Sequence, residues 1–251
     1  MIWVIARREV GAMFLAPMAW VILAVMQTIL GYMFLANLDN FFLLQPQLMQ
    51  IANTPGVTDI VITPLMQVAA IILLMVMPLM TMRSLAEEKR NRTLSLLISA
   101  PIGMTEIVLG KFLGLVLFIV ILVSMLMLML MPLSLYLGTS PDGGKLLSIY
   151  LGMLLLLSSF AAIGLYLSSL TENQTIAAIS TFGVLLMLWI IDWIGSSIGN
   201  GQSVLAYLSI LKHHQAMLEG VFKSSDIAYY LLLITGFLVL TIRQLDRERL
   251  L

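Results

Sequence analysis

Residues 107–137 read IVLGKFLGLVLFIVILVSMLMLMLMPLSLYL, with Lys111 the one charge in the run. Leu, Ile, Val and Met occupy every helical angle. No face is left for water, and no alternation marks a strand. A helix needs about 20 mainly apolar residues to cross the hydrocarbon of a bilayer. Inside lipid the backbone has no water to bond, so a run of this kind must close its hydrogen bonds within itself as a helix. The stretch therefore predicts an all-α integral membrane protein.

Working outward, the same signature recurs at about residues 17–36, 60–82, 146–170, 176–195 and 227–242. With 107–137 this makes six spans, in a single transmembrane domain over residues 1–251. Composition agrees. Apolar residues are 61% of the 251 and charged ones 10%, against about 45–50% and about 25% in a soluble domain. Mean hydropathy is +1.05. A water-soluble globule could not hide that surface. The absence of cysteine excludes a disulfide scaffold, thiolate metal sites and cysteine nucleophiles. A net charge of zero supplies no basic field for nucleic acid. The apolar stretch after Arg7-Arg8 is too long for a signal-peptide core and is followed by no clear cleavage site, so the first span is expected to be retained.

The charges are unevenly placed. Six spans put both termini on one side. If that side is the cytoplasm, it carries Arg7, Arg8, Arg83, Lys89, Arg90, Arg92, Lys111, Arg243, Arg247 and Arg249, leaving Lys145, Lys212 and Lys223 outside. The positive-inside rule favours this orientation. Residues 37–59, with Pro46, Asn53, Pro55 and Gly56, read as an outer loop with one short helix. Beyond Gly199-Asn200-Gly201, the residues Val204, Leu205, Leu208, Leu211 and Leu218 recur near helical spacing and predict an amphipathic helix on the outer leaflet or packed over the spans.

The longest charged stretch is Arg83-Ser84-Leu85-Ala86-Glu87-Glu88-Lys89-Arg90-Asn91-Arg92, followed by Thr93-Leu94-Ser95-Leu96-Leu97-Ile98-Ser99-Ala100-Pro101. It reads as a helix leaving the membrane, a mixed-charge turn, and a short amphipathic helix with Leu94, Leu97 and Ile98 on one face, ended by Pro101. Thr105 is the expected N-cap of the next helix, and Glu106 suits its positive end. Two roles fit: a topology anchor, or a knob offering an apolar stripe and charges to a partner.

Four stretches resemble the ABC-2 type permeases, the membrane subunits of ATP-binding cassette exporters, most closely the six-span gliding-motility-associated branch. They are Arg8-Glu9-Val10 with Phe14 to Trp20; Glu87 to Arg90 with Thr93-Leu94, Leu97 and Pro101; Glu106 to Phe112; and His214, Glu219-Gly220-Val221, Asp226, Tyr229-Tyr230, Leu238 to Thr241 and Arg243 to Arg249. One departure stands out. The family often has Gly-Thr-Leu-Glu after the charged turn, where this chain has Arg92-Thr93-Leu94-Ser95.

The resemblance implies an N-terminal interfacial elbow helix before the first span and a cytoplasmic coupling helix between spans two and three. It assigns ATPase coupling to Glu87, Glu88, Lys89, Arg90, Thr93, Leu94, Leu97 and Pro101. It also implies a separate ABC ATPase subunit, a second permease copy or sibling permease, and a bacterial inner-membrane location with contacts to membrane lipid. No G-x-x-x-x-G-K-[ST] motif occurs in the chain; Gly110-Lys111-Phe112 lacks both the earlier glycine and the hydroxyl residue. This chain is accordingly expected to be non-catalytic and to bind no cofactor, with ATP and Mg on the partner. The implied function is export of a substrate. A membrane scaffold of a gliding-motility or envelope-assembly machine is the alternative, with a secondary transporter weaker still.

Single residues carry further readings. Asp192, between Trp189 and Trp193, is either an interfacial carboxylate or part of a substrate or proton path. His213-His214 reads as a structural pair on the outer surface, short of the three or four ligands a metal site needs. Pro64, Pro78 and Pro132 are kinks or hinges. The methionines are flexible packing. Gly110, Gly114, Gly152 and Gly164 allow close helix approach. Tyr229 and Tyr230 fit an interfacial belt.

Overall fold

A computed structural model describes residues 1–48, 56–92, 103–130, 142–197 and 209–249, with the backbone alone at 45, 47, 48 and 192–197. Every regular element among them is helical. The elements are α1 (Ile2–Leu15), α2 (Pro17–Leu48), a π-helical turn (Thr58–Ile62) running into α3 (Thr63–Thr81), α4 (Ala86–Arg90), α5 (Met104–Met129), α6 (Gly143–Ser169), α7 (Gln174–Ser197), α8 (Ile210–Leu218) and α9 (Ser224–Arg249). Six of these segments are long and apolar enough to cross a membrane.

The elbow forms as expected. α1 ends where Ala16 turns extended (ψ 133°), because Pro17 disfavours helix in the residue before it. Trp3, Val4 and Leu15 of α1 are exposed, while Ile5 and Ala6 pack on α5. α6 is the axle of the bundle, packed against α3, α5, α7, α8 and α9. Its membrane window is 67% buried, against 17% for α7.

Small residues permit these approaches. A Cβ on Gly110 would lie 2.7 Å from Ile5, and one on Gly114 2.7 Å from Glu9. One on Gly164 would lie 2.6 Å from Thr81 Cβ. Met26, Met66, Met77, Met104 and Met153 fill the core. Pro64 sits in the first turn of α3, and Pro78 lies inside it.

Several boundaries differ from the sequence reading. α2 does not stop near residue 36. It runs on through Asn37, Asp39 and Asn40 to Leu48, because Leu30, Phe34 and Phe41 continue one buried face. The predicted loop over 37–59 is thus helical at its start. α9 likewise continues past residue 242 to Arg249. α5 is capped by Gly103 rather than Thr105. Glu106 falls in its first turn, as expected. α5 ends at Met129, and residues 131–137 and Pro132 lie outside the described residues.

The amphipathic helix expected within 196–226 is α8, and of the two placements it takes the one packed over the spans, with Ile210, His213, His214, Met217 and Leu218 enclosed. Val204, Leu205 and Leu208 lie outside the described residues. Ser209 caps α8 by accepting from the Lys212 N–H over 3.3 Å. Its far end closes with Val221 N–H on Ala216 O, Gly220 N–H on Met217 O, and Gly220 at φ 84°, the left-handed stop that glycine supplies without a Cβ penalty. α8 lies on α6 because Gly152 leaves room for Met217, and Ser148 Oγ donates to Met217 O over 2.7 Å.

Candidate functional site

Both chain ends and the charged segment 83–92 meet at one end of the bundle, and Lys111 organises the junction. Its side chain is 1% exposed. Nζ donates to Glu9 Oε1 of α1 (2.5 Å), to Glu88 Oε1 of α4 (2.8 Å) and to the Ser84 carbonyl (2.8 Å). Arg8 approaches Glu88 (3.6 Å) and Glu9 (4.0 Å) from the exposed side. Two cations and two carboxylates thus neutralise one another. An unpaired buried ammonium would be costly, whereas three acceptors satisfy its three donors.

Two further contacts clamp the segment. Ser168 Oγ of α6 accepts from the Leu85 and Ala86 N–H groups (3.2 and 3.0 Å) and donates to the Met82 carbonyl (3.1 Å). These bonds cover backbone groups exposed where α3 breaks before α4. Lys89 Nζ donates to the Ser169 carbonyl and to Glu248 Oε1 near the end of α9. Gln244 Nε2 donates to the same Glu248 oxygen over 3.1 Å. Residues 82–90 are therefore tied to α1, α5, α6 and α9 at once.

The predicted coupling residues divide accordingly. Glu88 and Lys89 are anchors facing the bundle. Glu87 is half-buried, and Arg90 is exposed. Thr93, Leu94, Leu97 and Pro101 lie outside the described residues, as does the side chain of Asp192. Arg92 has φ 56°. It stands where the resembling family often carries glycine, and glycine adopts that backbone without a Cβ clash.

The chain belongs to the ABC-2 family of transporter proteins. The model for that family matches residues 3–250. No curated protein matches the chain.

As an ABC-2 family member, it is a multi-pass membrane subunit of an ABC transporter, a class that works with an ABC ATPase subunit. Sequence reasoning missed the partners of the clamp: Glu9, Lys111, Ser168 and Glu248. One signal was available. A lone lysine in an apolar run must find carboxylates, and Glu9 and Glu88 were among the acids expected at the same bundle end.

The opposite end of the bundle corrects two readings. His213 and His214 are not a surface pair, being 5% and 0% exposed. His213 Nδ1 pairs with Asp226 Oδ1 at 2.7 Å, and its ring stacks on Tyr229 at 4.2 Å. Tyr230 is fully buried, donating to the Ile210 carbonyl over 3.1 Å, so it is no belt residue. Among the described residues neither ring nitrogen of His214 has a hydrogen-bond partner. Burial pulls its imidazole down to about 4. Among the described residues no three His, Asp or Glu side chains converge as a metal site.

Proposed function

We propose that the chain is the permease subunit of an ATP-driven exporter in the bacterial inner membrane, with both termini cytoplasmic and with residues 83–101 receiving the stroke of a separate ATPase. The single observation that carries this reading is the clamp. Any displacement of Glu88 and Lys89 is transmitted through Lys111 to α1 and α5, and through Glu248 to α9. A coupling element needs such stiff connections, because a signal travels only if contacts differ between two states. The basic residues gathered at this end agree with a cytoplasmic face. In this reading the exposed Arg90 orients docking, while Leu94 and Leu97 supply apolar contact. ATP and Mg bind to the ATPase, and a second permease copy or a sibling completes the pathway.

The test is affinity purification of the chain from its native membrane, with measurement of co-purifying ATPase and its ATP turnover. Arg90→Glu and Leu97→Glu are expected to lose the ATPase while the chain still inserts. Retention of the ATPase with normal turnover in both variants overturns the assignment. An ATPase that co-purifies and turns over ATP without moving a solute supports the scaffold reading instead.

A further inference from the structure

A cavity of about 400 Å³ opens between α1, the start of α2, the end of α3 and α4. Ligand cavities run about 300–1,000 Å³. Its lining is mixed in chemistry: Met13, Ala16, Met18, Leu79 and Met80 are apolar, and Arg8, Arg83, Glu87 and Asn91 join the Lys111 junction there.

The charges there are not all used. Arg8, Glu9, Glu88 and Lys111 satisfy one another. The side chains of Arg83 and Glu87, four residues apart, form no ion pair or hydrogen bond with any described residue. The lining thus offers a guanidinium and a carboxylate whose side chains pair with no described residue, together with apolar side chains. On α1 and α2, which contribute to the cavity, Trp3, Leu15 and Trp20 are exposed by 65%, 87% and 60%. Side chains of this kind face lipid in a membrane protein, and tryptophan marks its interface.

We propose that this cavity holds one phospholipid with a phosphoethanolamine head group, its phosphate on Arg83 and its ammonium on Glu87. Arg83 can offer a planar donor fork to phosphate oxygens, and Glu87 accepts from the ammonium. The first part of an acyl chain lies along Met13, Ala16 and Leu79. A singly charged anionic lipid satisfies Arg83 but leaves Glu87 facing a neutral head group. A choline head group brings a cation with no N–H to donate. The lipid wedges the elbow against the coupling segment. The inference rests on the membrane disposition of the chain and not on the ATPase reading.

The experiment uses the full chain, delipidated and offered equal amounts of phosphatidylethanolamine, phosphatidylglycerol and phosphatidylcholine, with retained lipid counted by native mass spectrometry. One phosphatidylethanolamine per chain is expected, at least five-fold above the other two. Arg83→Gln should lower retention of phosphatidylethanolamine and phosphatidylglycerol about ten-fold. Glu87→Gln should abolish the preference between them while leaving phosphatidylglycerol unchanged.

On the unaltered chain, phosphatidylethanolamine with a diazirine in its acyl chain should label Met13, Met18, Leu79 and Met80 above Leu128 and Leu232, which are exposed elsewhere on the bundle. Equal retention of the three lipids, or labelling of Leu128 and Leu232 as heavy as that of the cavity, overturns the proposal. So does loss of cavity labelling when the ATPase is added, which makes the cavity a protein dock.

Discussion

Lys111 of α5 and Glu88 of α4 meet at 2.8 Å, in a contact closed to water on the lysine side. The pair joins a membrane span to the charged segment between spans two and three, and Glu9 completes it from the elbow. Removing one partner of a buried ion pair costs about 3–5 kcal/mol, because the remaining charge is stranded. Lys111→Met is therefore expected to lower stability by about that amount, leaving two carboxylates facing each other. Adding Glu9→Gln and Glu88→Gln to Lys111→Met should recover part of the loss. Thermal unfolding of the purified chain in detergent reads both. If the triple variant is no more stable than the single one, the junction does not act as a charge network.

Ser168 offers a second measurement. Its hydroxyl serves two buried N–H groups and one carbonyl. Each buried polar group left unsatisfied costs about 1–3 kcal/mol. Ser168→Ala should therefore destabilise by at least about 3 kcal/mol and free the α3–α4 turn. Amide exchange at Leu85 and Ala86 should rise in this variant, with little change in the middle of α6. A uniform rise would mean that the hydroxyl is not what holds the turn.

The six spans were legible because length and hydrophobicity act within one segment, and the elbow was expected from the resemblance. Continuation of α2 past Asn37 was not, since the polar residues there are carried by Phe34 and Phe41 packing on distant helices. The coupling role was an expectation from resemblance alone, and the division of residues 87–90 into anchors and exposed groups depends on Ser168, Ser169 and Glu248, each far along the chain. His213 and His214 looked superficial because a short amphipathic segment does not announce that α6 and α9 will cover it.

His214 makes stability depend on acid. Its pKa falls from 6.5 in the unfolded chain to about 4 in the folded one. Above pH 6.5 both states are neutral and the group is silent. Between 6.5 and 4 the unfolded state takes up a proton that the folded state refuses, so stability falls as pH drops, by up to about 3 kcal/mol. His214→Met, which keeps an apolar body of similar reach, should flatten the decline in unfolding temperature between pH 7 and pH 4.5. An unchanged decline would assign the acid sensitivity to other groups.

Gly114 tests the elbow seat. A methyl there meets Glu9 Cβ at 2.7 Å, and overpacking of this kind costs about 1–3 kcal/mol. The displaced Glu9 also leaves Lys111, so Gly114→Ala and Lys111→Met should be less than additive in thermal unfolding. Strict additivity would show that the elbow can shift without disturbing the ion network.

Arg92 tests the turn that leads from α4 toward residues 93–101. Its φ of 56° costs a residue with a Cβ about 1–2 kcal/mol relative to the right-handed region. Glycine escapes that penalty but gives up about 0.5–1 kcal/mol through the greater freedom of its unfolded chain. Set against Arg92→Ala, which removes the same side-chain contacts, Arg92→Gly should therefore be more stable by a net amount of about 0.5–1 kcal/mol. Asparagine tolerates the left-handed region better than most side chains, so Arg92→Asn should fall between glycine and alanine. A β-branched side chain is worst there, and Arg92→Val should be the least stable of the set. The order Gly, Asn, Ala, Val in unfolding temperature is specific to a left-handed backbone. A valine variant as stable as the glycine one would place the strain elsewhere.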